Sequence, residues 1–299
     1  MSVSATLRPL CGCSLLLGCA TPTPNTTCTT VQAAIPADLD TLGARGGVGP
    51  ERGTLLLEGG DLRNSDAGDR FRALCGGADA KVVFVVTGMA ESDLDTYDGV
   101  LSMYRDVFGF SDPTVLHTRS TFEANTEAFV APLRAADCVF FSGGRQWRYV
   151  DAYLHTAVHD ALFELLDRGG TIGGTSAGSS VQASFLVRGD TLGNDRLIGD
   201  HTEGFGFLDG VAVDQHIQQR MREDDLSELV ACAPELLGIG IDEHTWIEVT
   251  GDTFEVQGAG HVYVHNAQAW PEGTTAEAGL YEVFGAGETY DMAERVALD

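Results

Sequence analysis

The segment Gly174-Thr175-Ser176-Ala177-Gly178 holds a serine between two residues that lack side chains, with the spacing G-x-S-x-G. That spacing suits a turn sharp enough to lift a hydroxyl clear of the backbone at the top of a sheet. A short strand-like run, Thr171 to Gly173, precedes it, and Ser179 to Phe185 reads as a helix behind it. Ser176 is therefore the candidate nucleophile. The Ala177 amide, at the start of that helix, is a candidate oxyanion donor, and Gly143 or Gly144 in the loop after another strand is the second. The plain alternative is a serine that only caps a helix; what tells against it is a set of partners elsewhere in the chain.

A serine hydroxyl attacks poorly until an imidazole takes its proton, and that imidazole needs an acid to hold it in one tautomer. Of the eight histidines, His216 in Asp214-Gln215-His216 follows an apolar strand, Val211 to Val213, and so falls at a strand end. Glu243 closes another such strand, Gly240-Ile241-Asp242-Glu243, with Asp242 as its rival because alternation sends only one of the two inward. The chain order Ser, His, Glu differs from the Ser, acid, His order of α/β-hydrolases. His155 and His159 lie four apart with no third ligand in view, so they read as a polar helix face, and no metal is expected. His117, His201, His244, His261 and His265 read as surface or satisfied core residues.

The elements that must position these groups follow from the apolar pattern. Strands are expected at Thr54 to Leu57, Lys81 to Val86, Thr114 to His117, Cys138 to Phe141 and Thr171 to Gly173, separated by helical periods near 62–75, 91–107, 121–135 and 146–168. Such alternation predicts an α/β fold: a mostly parallel sheet flanked by helices on both faces, with ligands at the carboxyl ends of the strands. Val211 to Val213, Gly238 to Asp242, Thr245 to Val249, Thr253 to Val256 and His261 to Val264 read as shorter strands of the same domain, some of them antiparallel.

Eighteen Lys and Arg against 44 Asp and Glu give a formal charge of −26, which excludes a phosphate-binding basic stripe and hence nucleic acid. The excess acid reads as a solvated surface. At the start of the chain, Arg8, a short apolar run and Leu16-Leu17-Gly18-Cys19 predict a lipoprotein-type signal over 1–19, with lipid attachment at Cys19, and hence export to the cell envelope or secretion. Residues 20–52, rich in Thr, Pro, Ala and Gly, read as a tether and loose arm, and 53–299 as the catalytic domain. Of the remaining cysteines Cys138 reads as a small buried hydrophobe; export permits one or two disulfides, and spacing does not pair them.

Several blocks resemble the cyanophycinase-related serine peptidases: Phe141-Ser142-Gly143-Gly144-Arg145-Gln146, the Gly173 to Gly178 elbow, Asp214-Gln215-His216 with Arg220 and Arg222, and Gly238 to Glu243, with a weaker tail block from Gly285 to Asp291. The resemblance implies a class I glutamine amidotransferase-like (flavodoxin-like) fold, a triad of Ser176, His216 and Glu243, and a substrate pocket lined by Gln146, Asp214, Gln215, Arg220 and Arg222. It implies no cofactor, and as substrate a peptide or aspartyl polymer cleaved through an acyl-enzyme. The membrane enters only through a lipid anchor, and a second copy of the chain is a candidate homodimer partner. An aspartyl dipeptidase-type exopeptidase, or an inactive surface-tethered binding protein of the same fold, are the alternatives. The chain departs from the pattern at Arg145, where the family often has Asp or Asn, at Ser179, where Ala is usual, and at Glu223-Asp224-Asp225, where cyanophycinase carries a further arginine.

Overall fold

The computed structural model describes residues 25–36, 46–94, 97–272, 274 and 280–298. A nine-stranded sheet forms its centre. Five strands are parallel: β1 (Thr54–Glu58), β2 (Val82–Val85), β3 (Thr114–Leu116), β4 (Cys138–Phe141) and β5 (Thr171–Thr175), in the spatial order β1-β5-β4-β2-β3. Pairing of Glu58 with Thr175 and of Phe141 with Gly174 brings three carboxyl ends level with one another.

Both faces of these strands are apolar because both are covered. On one face Leu56, Phe84 and Phe140 pack against Phe71 of α2 (Ala67–Leu74) and against Tyr104 and Phe108 of α3 (Tyr97–Phe108); the arm helix α1 (Asn25–Ala34) lies elsewhere. On the other, Leu55, Leu57, Val85, Val139 and Phe141 meet the helices that follow α4 (Thr121–Ala124): Val130 and Leu133 of α5 (Glu127–Ala135), Tyr149 and Tyr153 of α6 (Trp147–Tyr153), and Leu162 and Leu165 of α7 (Ala157–Asp167). Each of these fully buried side chains contributes about 1.5–3 kcal/mol of transfer free energy.

A second sheet shares that second layer. It holds six strands in the order β13-β12-β9-β8-β6-β7. They are β6 (Ala183–Gly189), β7 (His201–Glu203), β8 (Leu208–Gln215), β9 (Leu237–Ile241), β12 (Val262–His265) and β13 (Glu282–Phe284). Val211, Val213, Ile239 and Ile241 face the central core, while Phe185, Val187 and Ala212 face outward to α9 (Asp225–Cys232) and α1. The central sheet is completed by antiparallel β10 (Thr245–Thr250), β11 (Thr253–Gly258), β14 (Thr289–Asp291) and β15 (Val296–Leu298) on the far side of β1.

Three expectations are corrected. The helix behind Ser176 is only α8 (Ala177–Ser180), and Phe185 belongs to β6, where Phe185 and Val187 alternate with Leu186 between two cores. Cys138 is buried but not free: it is disulfide-bonded to Cys75, as Cys28 is to Cys232. Within the stretch read as a loose arm, Asn25–Ala34 is helical, Val31 is buried among Leu226, Leu229 and Leu236, and the Cys28–Cys232 bond fixes the helix to α9. Cys19 lies outside the described residues. No described helix is long and apolar enough to cross a membrane.

Candidate active site

Ser176 leaves β5 with φ 54° and ψ −115°, a backbone conformation that a non-glycine residue holds only when its surroundings impose it. Its amide donates to the Glu58 carbonyl, and the Ser179 hydroxyl bridges the Glu58 and Gly174 carbonyls, so β1, β5 and α8 clamp the turn. A side chain at 174 is excluded, since its Cβ would lie 2.1 Å from the Gly178 carbonyl oxygen. Gly143 abuts the serine: a Cβ there would stand 3.6 Å from the Ser176 Cβ. Ala177 opens α8 directly after Ser176, and Gly143 and Gly144 line the same cleft as Ser176.

His216 comes from the other sheet, at the end of β8. The Ser176 Oγ to His216 Nε2 distance is 2.9 Å, and His216 Nδ1 lies 2.6 Å from Glu243 Oε1, just past the end of β9. With Nδ1–H donating to the carboxylate, Nε2 keeps a lone pair for the serine proton. Burial, and next the Arg220 guanidinium, hold the imidazole below its ordinary pKa, although Glu243 pulls the other way. Asp242, the rival acid, points elsewhere: it accepts from the amides of Gln218 and His261.

The glycine pair after β1 joins the two halves. The His216 amide donates to the Gly59 carbonyl and the His244 amide to the Gly60 carbonyl. Gly60 has φ +138°, and a Cβ there would fall 2.1 Å from His216 Cε1, inside the imidazole.

The turn at Ser176 thus ends a parallel strand, and His216 and Glu243 reach it from strand ends of the second sheet. The model of peptidase family S51 matches residues 55–257. The chain belongs to this family. It is 29% identical over 225 residues to the cyanophycinase of Geminocystis herdmanii, covering 73% of this chain and 82% of the relative. It is 30% identical over 223 residues to the cyanophycinase of Synechococcus elongatus, covering 71% of this chain and 68% of the relative. The fold is shared with a peptidase from an acI-B1 actinobacterium, with a TM-score of 0.61, 21% identity, and coverage of 81% of this chain and 98% of that one. The protein is accordingly a serine-type peptidase with the glutamine amidotransferase-like fold.

In this S51 peptidase Ser176 and His216 open into a cleft of ≈ 660 Å³ that Ser142, Gly143, Gly144, Arg145 and Arg148 also line. The residues read as a substrate pocket divide into two groups. Gln146 is buried and donates to the Val187 carbonyl, tying α6 to β6. Asp214 is fully buried between Arg188 and Arg222, accepting from Arg188 Nε at 2.8 Å and lying 3.4 Å from Arg222 Nη1. Gln215 is buried as well, with its Oε1 unpartnered. Gln146 and Asp214 are therefore internal struts, bonded to β6 and to two arginines, and Gln215 is enclosed beside Asp214 in β8. Arg220 is exposed, and with Arg222, Arg188 and Asp225 it lines a separate depression of ≈ 520 Å³. Burial, only partly offset by Asp214, lowers Arg222 to about 10.

Two features of the S51 site carried no signal in the sequence. Arg188, at the end of β6, is buried and bonds Asp214 and Asp225, so it supports the strand that carries His216. Glu58, also fully buried, accepts from the Thr175 hydroxyl; its Oε1 has no partner among the described residues, and burial raises its pKa to about 8. Asp61, Glu243 and His244 offer atoms within 4.8 Å of one another, the spacing of a metal cluster. His244 Nε2 is engaged by Asp61 Oδ2 at 2.7 Å, and the Glu243 carboxylate is engaged by His216. His155 sits at φ 57° in the turn before α7, and His159 packs on Phe163, Phe205 and Phe207. Neither residue forms the polar helix face expected of the pair.

Proposed function

We propose that the protein hydrolyses peptide or isopeptide bonds of aspartyl-containing peptides, with Ser176 as nucleophile, His216 as general base and acid, and Glu243 as the group that orients His216. One observation carries the reading: the unbroken relay from Ser176 Oγ through His216 to Glu243 Oε1, with steps of 2.9 and 2.6 Å. As Oγ bonds to the carbonyl carbon, its proton passes to His216 Nε2, and the imidazolium is balanced by Glu243. The oxygen gains negative charge beside the Ala177 amide and the Gly143–Gly144 loop. The carbon–nitrogen bond then breaks as His216 returns the proton to the departing amine. Water, deprotonated by the same imidazole, releases the acyl group from Ser176.

The aspartyl preference is supported by relatives named cyanophycinase and by exposed Arg220, whose guanidinium fork matches a carboxylate. Two disulfides support an oxidising destination, and with it the reading of residues 1–19 as an export signal with Cys19 as lipid attachment site. In Ser176→Ala, turnover of an aspartyl peptide is expected to fall by roughly 10⁴-fold or more with the melting temperature unchanged. A fluorophosphonate probe should label the wild-type serine and leave the variant unmarked. Activity near wild type in Ser176→Ala would refute the assignment.

A further inference from the structure

The cleft beside Ser176 is lined by more basic than acidic side chains. In a protein with 18 basic and 44 acidic residues, three arginines, Arg63, Arg145 and Arg148, line this one cleft together with the acids Asp61 and Asp93. Asp61 is engaged on its other side by Asn64 and His244. Arg145 directly follows the Gly143–Gly144 loop. Its amide donates to the Gly88 carbonyl at 2.9 Å, and Arg148 Nη1 donates to that same carbonyl at 2.9 Å, so one backbone oxygen holds both arginines at the same corner. Arg145 Nη1 is enclosed, yet it has no hydrogen-bond acceptor among the described residues. Burial, and then the Arg119 and Arg145 guanidinium groups, lower the pKa of Arg148, which shows how closely the cations are gathered.

Arg145 thus lines the cleft as a guanidinium for which no carboxylate of the described chain serves as partner, and a ligand anion entering there meets an unpaired cation. A planar carboxylate is the group that fits, since it accepts from a guanidinium through two parallel bonds. We propose that Arg145, with Arg148 beside it, is a carboxylate-binding subsite on the Gly143–Gly144 side of the nucleophile, and that it selects unsubstituted acidic peptides and repels guanidinium-bearing side chains. The subsite is distinct from the depression at Arg220 and Arg222. It rests on Ser176 being the residue at which substrates are held, and it narrows the substrate from aspartyl peptides in general to those presenting a free carboxylate at this corner. Arginine-substituted aspartyl polymer is disfavoured here.

The test uses the full chain carrying Ser176→Ala, so that binding is read without turnover. Calorimetric affinities are compared for three tripeptides: one aspartyl, its asparaginyl isostere, and one whose aspartyl side chains are capped with arginine. The aspartyl peptide is expected to bind at least roughly tenfold more tightly than its isostere, and the arginine-capped peptide least well. Arg145→Gln should remove most of that margin, and Arg145→Lys should restore part of it. Equal affinities for the first two peptides, a preference for the arginine-capped one, or a margin that survives Arg145→Gln overturns the proposal. Tight, charge-selective binding combined with no hydrolysis of any peptide by the wild-type chain sinks the hydrolase reading instead and leaves this one standing.

Discussion

At the scale of single residues, the site depends on two groups displaced from their ordinary protonation. As the proposed base, His216 has to be neutral to accept a proton, and burial together with Arg220 favours that form by depressing its pKa. The acidic limb of kcat/KM should therefore fall below the ordinary histidine value of about 6.5. Arg220→Gln removes one of the depressing charges, so a pH–rate profile should show that limb moving upward; a limb that stays put would separate Arg220 from the base. Glu58 is displaced the other way, to about 8 by burial. The folded protein holds this proton more tightly than the unfolded chain, so its contribution to stability is intact at acid pH and is lost as pH rises through about 8. Between pH 6 and 9 the wild type should lose roughly 1–3 kcal/mol that Glu58→Gln does not, read as a steeper decline in melting temperature.

At the scale of elements, the sequence was most legible where period and boundary agreed. Cys138 to Phe141 reads as a strand because four apolar residues end at a glycine pair, and β4 has those limits. The parallel core and its helices follow from the same pattern. The end of the helix behind Ser176 is illegible because Ala177 to Ser180 and Ala183 to Val187 are both runs of apolar or small residues, and only contact with two separate cores makes the second segment a strand. The family resemblance implies that Gln146, Asp214 and Gln215 line the pocket, but all three are buried, and Gln146 and Asp214 bond partners distant in sequence, which a motif match does not encode. Pairing of the cysteines is likewise a property of packing. Because Cys28 fixes α1 to α9 across 204 residues, Cys28→Ser should lower stability by about 2–4 kcal/mol, seen as a lower melting temperature that reducing agent no longer changes as much as in the wild type.

At the scale of the whole molecule, charge and architecture are arranged separately. The surface carries the bulk of the −26, while basic groups gather in the cleft and in the depression beside it. On a surface that is net acidic, basic groups collected at one cleft would steer a carboxylate-bearing peptide into register more than they would raise its affinity.

The Gly59–Gly60 junction has a consequence for how the enzyme comes into being. The central slab carries Ser176 and the second slab carries His216 and Glu243, and the two are fastened at that glycine pair. The relay from Ser176 through His216 to Glu243 is therefore a property of the seam, and a chain with either slab folded alone lacks it.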